Sequence, residues 1–313
     1  QQTRAYKKEV QQIVERKYDQ QRTAVVGSYN RAISELEEEE NERRLEAIKV
    51  FEKFLAKYPA SPDYTPGALW RLAELYYEKS KLDYTKAEDD YDKALTAYNS
   101  GQREEEPLPP APHFEKTISL LQRLIQGFEN YKLIDGAYYL LAYCLQEQGE
   151  PDEAQGVYLT FTRRFPSSKF QAEVWTRLGE SFFEDPDKLD NAIEAYRKVL
   201  SYPDNRMFDK ALYKLAWTHY KIDQFDKAVK RFDQLIAWAD AGEEGEDDVS
   251  RSELRKEAMQ YLAISFAEEE WSGSGVENAK GFFESVGGRS YDGEFFRKLG
   301  EGYYINGSFD KSI

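Results

Sequence analysis

The chain has 313 residues, is 15% aromatic with 23 tyrosines, and carries 58 acidic against 43 basic side chains, for a formal net charge of −15 and a pI of about 4.9. That length can bury a large core, while the acidic balance repels a phosphate backbone and excludes nucleic acid as the expected partner. No apolar run approaches membrane-spanning length, so no transmembrane segment is predicted.

In chain order, residues 1–40 contain no proline and many Glu, Gln, Arg and Lys, and so predict one helix. Its apolar spacing is loose over Tyr6, Val10 and Ile13 and firmer over Val25, Tyr29, Ile33 and Leu36. The run Glu37, Glu38, Glu39, Glu40 is a solvated face or turn edge. Leu45, Ile48, Phe51, Phe54 and Leu55 make the next helix, which stops at Pro59. The division of the chain is therefore placed at 44/45. Residues 1–44 are a long helical segment and 45–313 a solenoid. The latter carries insertions near 81–112 and 239–252 and is truncated within its last repeat, which implies a piece of a longer polypeptide. Leu69, Leu72, Ala73 and Tyr76 line the following helix, whose pattern runs on through Tyr91, Ala94, Leu95 and Tyr98. Residues 101–112 hold Pro107, Pro109, Pro110 and Pro112 and favour extended backbone. Ile118, Leu121, Leu124 and Ile125 resume a helix.

From Leu133 onward the units become regular. Each is a first helix, a tight turn and a second helix, as in residues 210–236. There Leu212, Leu215 and Ala216 form one apolar stripe and Ala228, Phe232, Leu235 and Ile236 another. The turn at Gly149, Glu150 and Pro151 has Gly at a helix end and Pro at a helix start. A small residue recurs near the middle of each first helix: Ala142, Gly179, Ala216, Ala263 and Gly300. Three of the four intervals are 37 residues, and the longer one contains the acidic stretch 241–248. A period of that size means a stacked array whose units cannot bury their apolar faces alone. By period and length, roughly seven to eight helix pairs are expected.

Candidate chemistry is sparse. Cys144 lies in the apolar run 138–145 and is read as a packing residue that makes no internal disulfide. His113 and His219 stand far apart, with His219 on a core-facing stripe. The acidic stretch lacks calcium-loop spacing. No metal, cofactor or catalytic residue is predicted, and no nucleophile elbow, phosphate loop or dinucleotide turn is present. A remote alternative, a Glu pair in a glycoside-hydrolase-associated module, has no apolar pocket signature to raise a carboxyl pKa.

These units resemble the tetratricopeptide repeat family. The residues that carry the likeness are Trp175, Leu178, Gly179 and Phe182 with Ala192, Tyr196, Leu200 and Pro203; Tyr138, Leu141 and Ala142 with Gly149, Ala154, Tyr158 and Pro166; and Phe296, Leu299, Gly300 and Tyr303 with Gly307 and Phe309. The resemblance implies an all-α, right-handed superhelical solenoid of antiparallel helix pairs and a non-catalytic protein-binding scaffold. In that family first helices line the inner face. Transferred by register, the groove here is Trp70, Glu74, Tyr77, Tyr139, Tyr143, Glu180, Phe183, Tyr213, Trp217, Tyr220, Glu301 and Tyr304, with Thr176 at the inward position three before Gly179. Such a surface, aromatic and acidic, suits a partner peptide or helix with apolar and basic residues. The competing reading is that the same rings pack between neighbouring helices.

A narrower likeness lies in Phe165, Pro166, Ser167 and Ser168, echoed by Tyr58, Pro59, Ala60 and Ser61. This aromatic-Pro-x-Ser phrase between units is similar to bacterial cell-envelope members of the family: outer-membrane assembly lipoproteins, the Tol-Pal coordinator and gliding-motility proteins. It implies a periplasmic adaptor in an envelope complex. The alternatives are a cytoplasmic scaffold, told apart by whether a leader precedes Gln1, and a self-assembling structural unit.

Overall fold

The computed structural model describes the backbone of residues 2–202, 205–241, 248–268, 271 and 275–305, with side chains over most of the span from residue 17 onward. Among the described residues there are twelve α-helices, one short 3-10 turn and no strand. The fold is all-α, and the chain forms two compact units, Gln1–Gly149 and Glu150–Ile313.

The first unit contains α1 (Gln2–Lys57), α2 (Thr65–Asn99), α3 (Glu115–Gly127) and α4 (Ile134–Glu147), each packed on the next. α1 is one unbroken helix of 56 residues. It passes straight through residues 44 and 45, where the sequence pattern placed a division. What changes there is packing. Described side chains from Val25 to Glu40 are exposed, and burial begins as α1 meets α2, with Ile48 and Leu55 against a helix whose Leu69, Leu72 and Ala73 are buried. Each fully buried aliphatic side chain of this kind contributes roughly 1.5–3 kcal/mol. Arg44 bridges the seam, reaching Glu40 at 2.6 Å and Glu78 at 3.2 Å. The Tyr76 hydroxyl donates to Glu52 at 2.6 Å. Proline cannot continue a helix, and α1 ends two residues before Pro59. The turn that follows is tied by Thr65, whose Oγ1 accepts from Ser61 N–H and donates to the Tyr58 carbonyl.

α2 runs for 35 residues, so the insertion near 81–112 is in part a helix extension. The Pro-rich stretch then returns to the helix pair. Phe114 is buried there, and its N–H donates to the Gln148 side chain at 2.9 Å. α4 closes with Gly149 at φ 88°, a left-handed conformation that a side chain would strain.

The second unit contains α5 (Pro151–Arg164), α6 (Gln171–Phe183), the 3-10 turn Pro186–Lys188, α7 (Leu189–Leu200), α8 (Phe208–Lys221), α9 (Phe225–Asp240), α10 (Asp248–Ala267), α11 (Gly275–Ser285) and α12 (Asp292–Ile305). α5 through α10 pack in sequence, and α10 also packs on α11 and α12. Charges suit the helix ends: α5 has Asp152 and Glu153 in its first turn and Arg163 and Arg164 in its last. One apolar core joins α8 to α12, centred on Leu212, Phe232, Ile236, Leu262, Phe266, Phe283 and Phe295. The recurrent small residues fall inside α4, α6, α8, α10 and α12. Ala142, Gly179, Ala216 and Ala263 are buried, and Gly300 is half-buried.

The described residues hold at most six helix pairs, fewer than the seven to eight expected, because α1 and α2 each absorb a length that the period would divide into more elements. Most of the acidic stretch 241–248 and the second helix anticipated after Gly307 lie outside the described residues.

Candidate functional site

The residues assigned to the groove are distributed over both units, five of them on α2 and α4 and the rest on α6, α8 and α12. In the first unit, Trp70 is half-buried on α2, and its ring lies so close to Gly136 of α4 that a Cβ there would sit 3.3 Å from Cη2. The same ring lines an open cavity of about 820 Å³ with Pro62, Asp63, Pro66, Arg71, Phe128, Tyr131 and Lys132. Two turns further along α2, Tyr77 stacks on Phe114 with centroids 5.7 Å apart and meets Tyr143 edge-on at 6.0 Å. Burial, with the neighbouring Tyr143, pushes the Tyr77 hydroxyl well above its ordinary pKa. Tyr139 is half-buried on α4, and Glu74 pairs with Arg71 at 2.9 Å. Cys144 is buried, and burial pushes its thiol up to about 12, so it is not a nucleophile at neutral pH.

In the second unit the rings of α8 form a wall. Trp217 meets Tyr261 of α10 at 4.4 Å, Tyr220 at 5.3 Å, and Tyr213 and Phe232 at 6.4 Å, all edge-on. Tyr213 also meets Tyr261 edge-on at 6.5 Å. Edge-to-face pairs of this kind each add about 0.5–1.5 kcal/mol beyond burial. The packing of these rings between neighbouring helices is what the geometry shows. They pack on one another across α8 and α10, and Tyr213, Trp217, Tyr220 and Tyr261 remain half-buried, each with an accessible part. Carboxylates rim the wall. Glu268 accepts from the Tyr220 hydroxyl, and Glu257 stands near Tyr213. Burial first, and then that carboxylate, raises the Tyr213 hydroxyl above its ordinary pKa. Tyr261 and these two carboxylates were not singled out in the sequence. Tyr261 sits two residues before Ala263, off the register used to transfer groove positions.

Three lysines of α8 reach α6. Phe183 is covered by two lysines, with Lys221 Nζ 4.1 Å and Lys214 Nζ 4.7 Å from its centroid. Glu180 is paired with Lys210 at 2.5 Å. Lys210 and Lys221, isolated in sequence, thus converge on α6, where Lys210 meets the carboxylate of Glu180. Thr176 is buried and donates to the Ala172 carbonyl at 2.9 Å, so it does not line a surface. On α12, Glu301 and Tyr304 are exposed, and Glu301 lies 3.7 Å from Arg297.

His219 is buried on α8. Its Nδ1 lies 3.0 Å from the Gln224 side chain, and burial, outweighing that contact, lowers its pKa to about 4. Among the described residues no group of three or more His, Cys, Asp or Glu is arranged to hold a metal ion. No helix there is long and apolar enough to cross a membrane.

Residues 136–168 and 210–237 match the sequence pattern of the tetratricopeptide repeat family. No curated protein matches the chain in sequence. Among solved structures, the C-terminal part of a TPR repeat-containing protein from Cytophaga hutchinsonii is 18% identical, with a TM-score of 0.47, over 87% of this chain and 88% of its own. A MamA protein is 17% identical, with a TM-score of 0.39, over 74% of this chain and 96% of its own. The apo quorum sensor NprR from B. thuringiensis is 14% identical, with a TM-score of 0.40, over 86% and 84%. The described chain is thus all-α, a succession of helices with a small residue recurring inside α4, α6, α8, α10 and α12, and two of its segments carry the tetratricopeptide repeat pattern.

Proposed function

We propose that this chain is a non-catalytic scaffold that captures a protein segment on the ring wall of α8 and α10 within a bacterial cell-envelope complex. The observation that carries the reading is the wall itself. Four half-buried rings, Tyr213, Trp217, Tyr220 and Tyr261, are held rigid by mutual edge contacts. Rigid aromatic surface with little entropy left to lose is what interface anchors use. Glu257 and Glu268 at its rim suit a partner helix or peptide that presents apolar residues flanked by Lys or Arg. The lysines over Phe183 direct those basic residues away from α6 and towards α10. The envelope setting rests on the aromatic-Pro-x-Ser phrase at Phe165–Ser168 and Tyr58–Ser61.

The test is capture of partners from separated envelope and cytosolic fractions by the immobilised chain, compared with Glu257→Lys and Glu268→Lys variants. The expected result is an envelope protein retained by the wild-type chain and lost by both variants at an unchanged melting temperature. Trp217→Ala tests the rings themselves, with retention compared at a temperature where circular dichroism shows the variant folded, because this ring also packs on Phe232. Retention from the cytosolic fraction alone would overturn the envelope assignment. Retention unaffected by any of these changes would overturn the wall as the binding surface.

A further inference from the structure

α1 carries an apolar stripe with no cover among the described residues. Val26, Tyr29, Ile33 and Leu36 are spaced three, four and three residues apart, and they are 47%, 66%, 52% and 65% exposed. That is the a/d spacing of a coiled-coil seam, repeated over two heptads. A run of apolar residues held in water on a projecting helix is unfavourable unless something covers it.

We propose that a second copy of this chain covers it, with the two α1 helices antiparallel and their dyad crossing the seam between Tyr29 and Ile33, at the height of residue 31. The argument is that the stripe is self-complementary about that point. In this register Val26 faces Leu36 and Tyr29 faces Ile33, so each apolar layer is filled from both sides, an a position against a d position. One step further out, Arg22 faces Glu40, a cation against a carboxylate closing each end of the apolar layers. Both side chains are exposed, and Glu40, held by Arg44 at 2.6 Å, is left with acceptor capacity for a second cation. The paired region from 22 to 40 spans about 28 Å of helix at 1.5 Å per residue. A parallel pair would instead set Arg22 against Arg22 and bring the acidic run 37–40 of both copies together, which like-charge repulsion opposes. A heterologous partner would require no such symmetry of the stripe about its own centre.

The experiment measures the mass of the full chain in solution by light scattering at micromolar concentration, for wild type, Ile33→Glu and Leu36→Glu. The wild type is expected at twice the 36.5 kDa chain mass. Either variant should weaken self-association by roughly tenfold or more, with circular dichroism unchanged because both sites are exposed. Orientation is read in a Cys144→Ser background by mixing Val26→Cys and Leu36→Cys chains under mild oxidation. The mixture should cross-link, and neither chain should do so alone. A monomeric wild type, a dimer indifferent to both substitutions, or Val26→Cys chains that link to themselves would each overturn the proposal. Neither readout depends on partner capture by the ring wall, so the two ideas fail separately.

Discussion

Gly179 of α6 and Tyr196 of α7 are in direct apposition. A Cβ added at Gly179 would fall 2.6 Å from Tyr196 Cε1 and 2.8 Å from Cδ1, and the Tyr196 ring is itself fully buried. The glycine is therefore the space into which the tyrosine packs, and the tyrosine has no room to retreat. Gly179→Ala gains about 1 kcal/mol of helix propensity and loses roughly 1–3 kcal/mol to overpacking. A net fall in stability is expected in chemical denaturation. Gly156→Ala, at an exposed site in α5 with nothing within 4 Å of its Cβ, is the control and should stabilise by about 0.5–1 kcal/mol. Equal effects at the two positions would refute the steric account.

Asp233 of α9 is buried and takes Arg289 in a two-pronged pair, Nε to Oδ1 at 2.7 Å and Nη2 to Oδ2 at 2.8 Å, with the Tyr291 hydroxyl also donating to Oδ1. This joins α9 to the turn before α12. Arg289→Met strands a buried carboxylate and should destabilise by about 3–5 kcal/mol. Tyr291→Phe removes one charge-assisted hydrogen bond and should cost about 1.5–3 kcal/mol. Urea denaturation of the two variants checks the order, and a larger loss in Tyr291→Phe would contradict it.

His219 ties stability to pH. Its pKa is about 4 when folded against an ordinary 6.5, so between those values the unfolded chain binds the additional proton. Stability then rises with pH across that window, is fully present above about 6.5, and is lost as pH falls towards 4. The full shift corresponds to about 3 kcal/mol. His219→Leu, which cannot titrate, should show a flatter dependence between pH 4.5 and 7. An identical slope in wild type and variant would remove His219 as its source.

Cys144 reports on opening of the first unit. Its thiol is fully buried and raised to about 12, so a thiol reagent should leave the native chain unlabelled and react fully in guanidinium chloride. Rapid native labelling would show that α4 is more accessible than its packing implies.

Much of this architecture could be read from local pattern. The interval of 37 residues between small residues, the Gly-then-Pro turn at 149–151 and the apolar stripes of α8 and α9 all depend on neighbours within one hairpin, and the structure keeps them. What escaped depends on contacts far apart in sequence. Asp233 and Arg289 are 56 positions apart, and nothing near either one announces the other. Tyr261 joins the ring wall through α10, across an insertion that obscures the repeat register. The two lysines over Phe183 come from the next first helix, so the sign of that surface depends on how α6 meets α8. The length of α1 was missed for a different reason. An acidic run such as 37–40 is compatible with either a turn or a solvated helix, and only the absence of Gly or Pro there favours the latter.

α1 reaches its packed seam as one uninterrupted helix. From residue 17 to residue 47 it extends about 45 Å at 1.5 Å per residue, and the first buried side chain among those described is Ile48. A strut of that kind acts as a lever arm. A tilt of only about 5° at the seam carries its far end through roughly 4 Å on this rise per residue, so modest repacking around Ile48 and Leu55 is magnified into a displacement as large as the gap between two side chains.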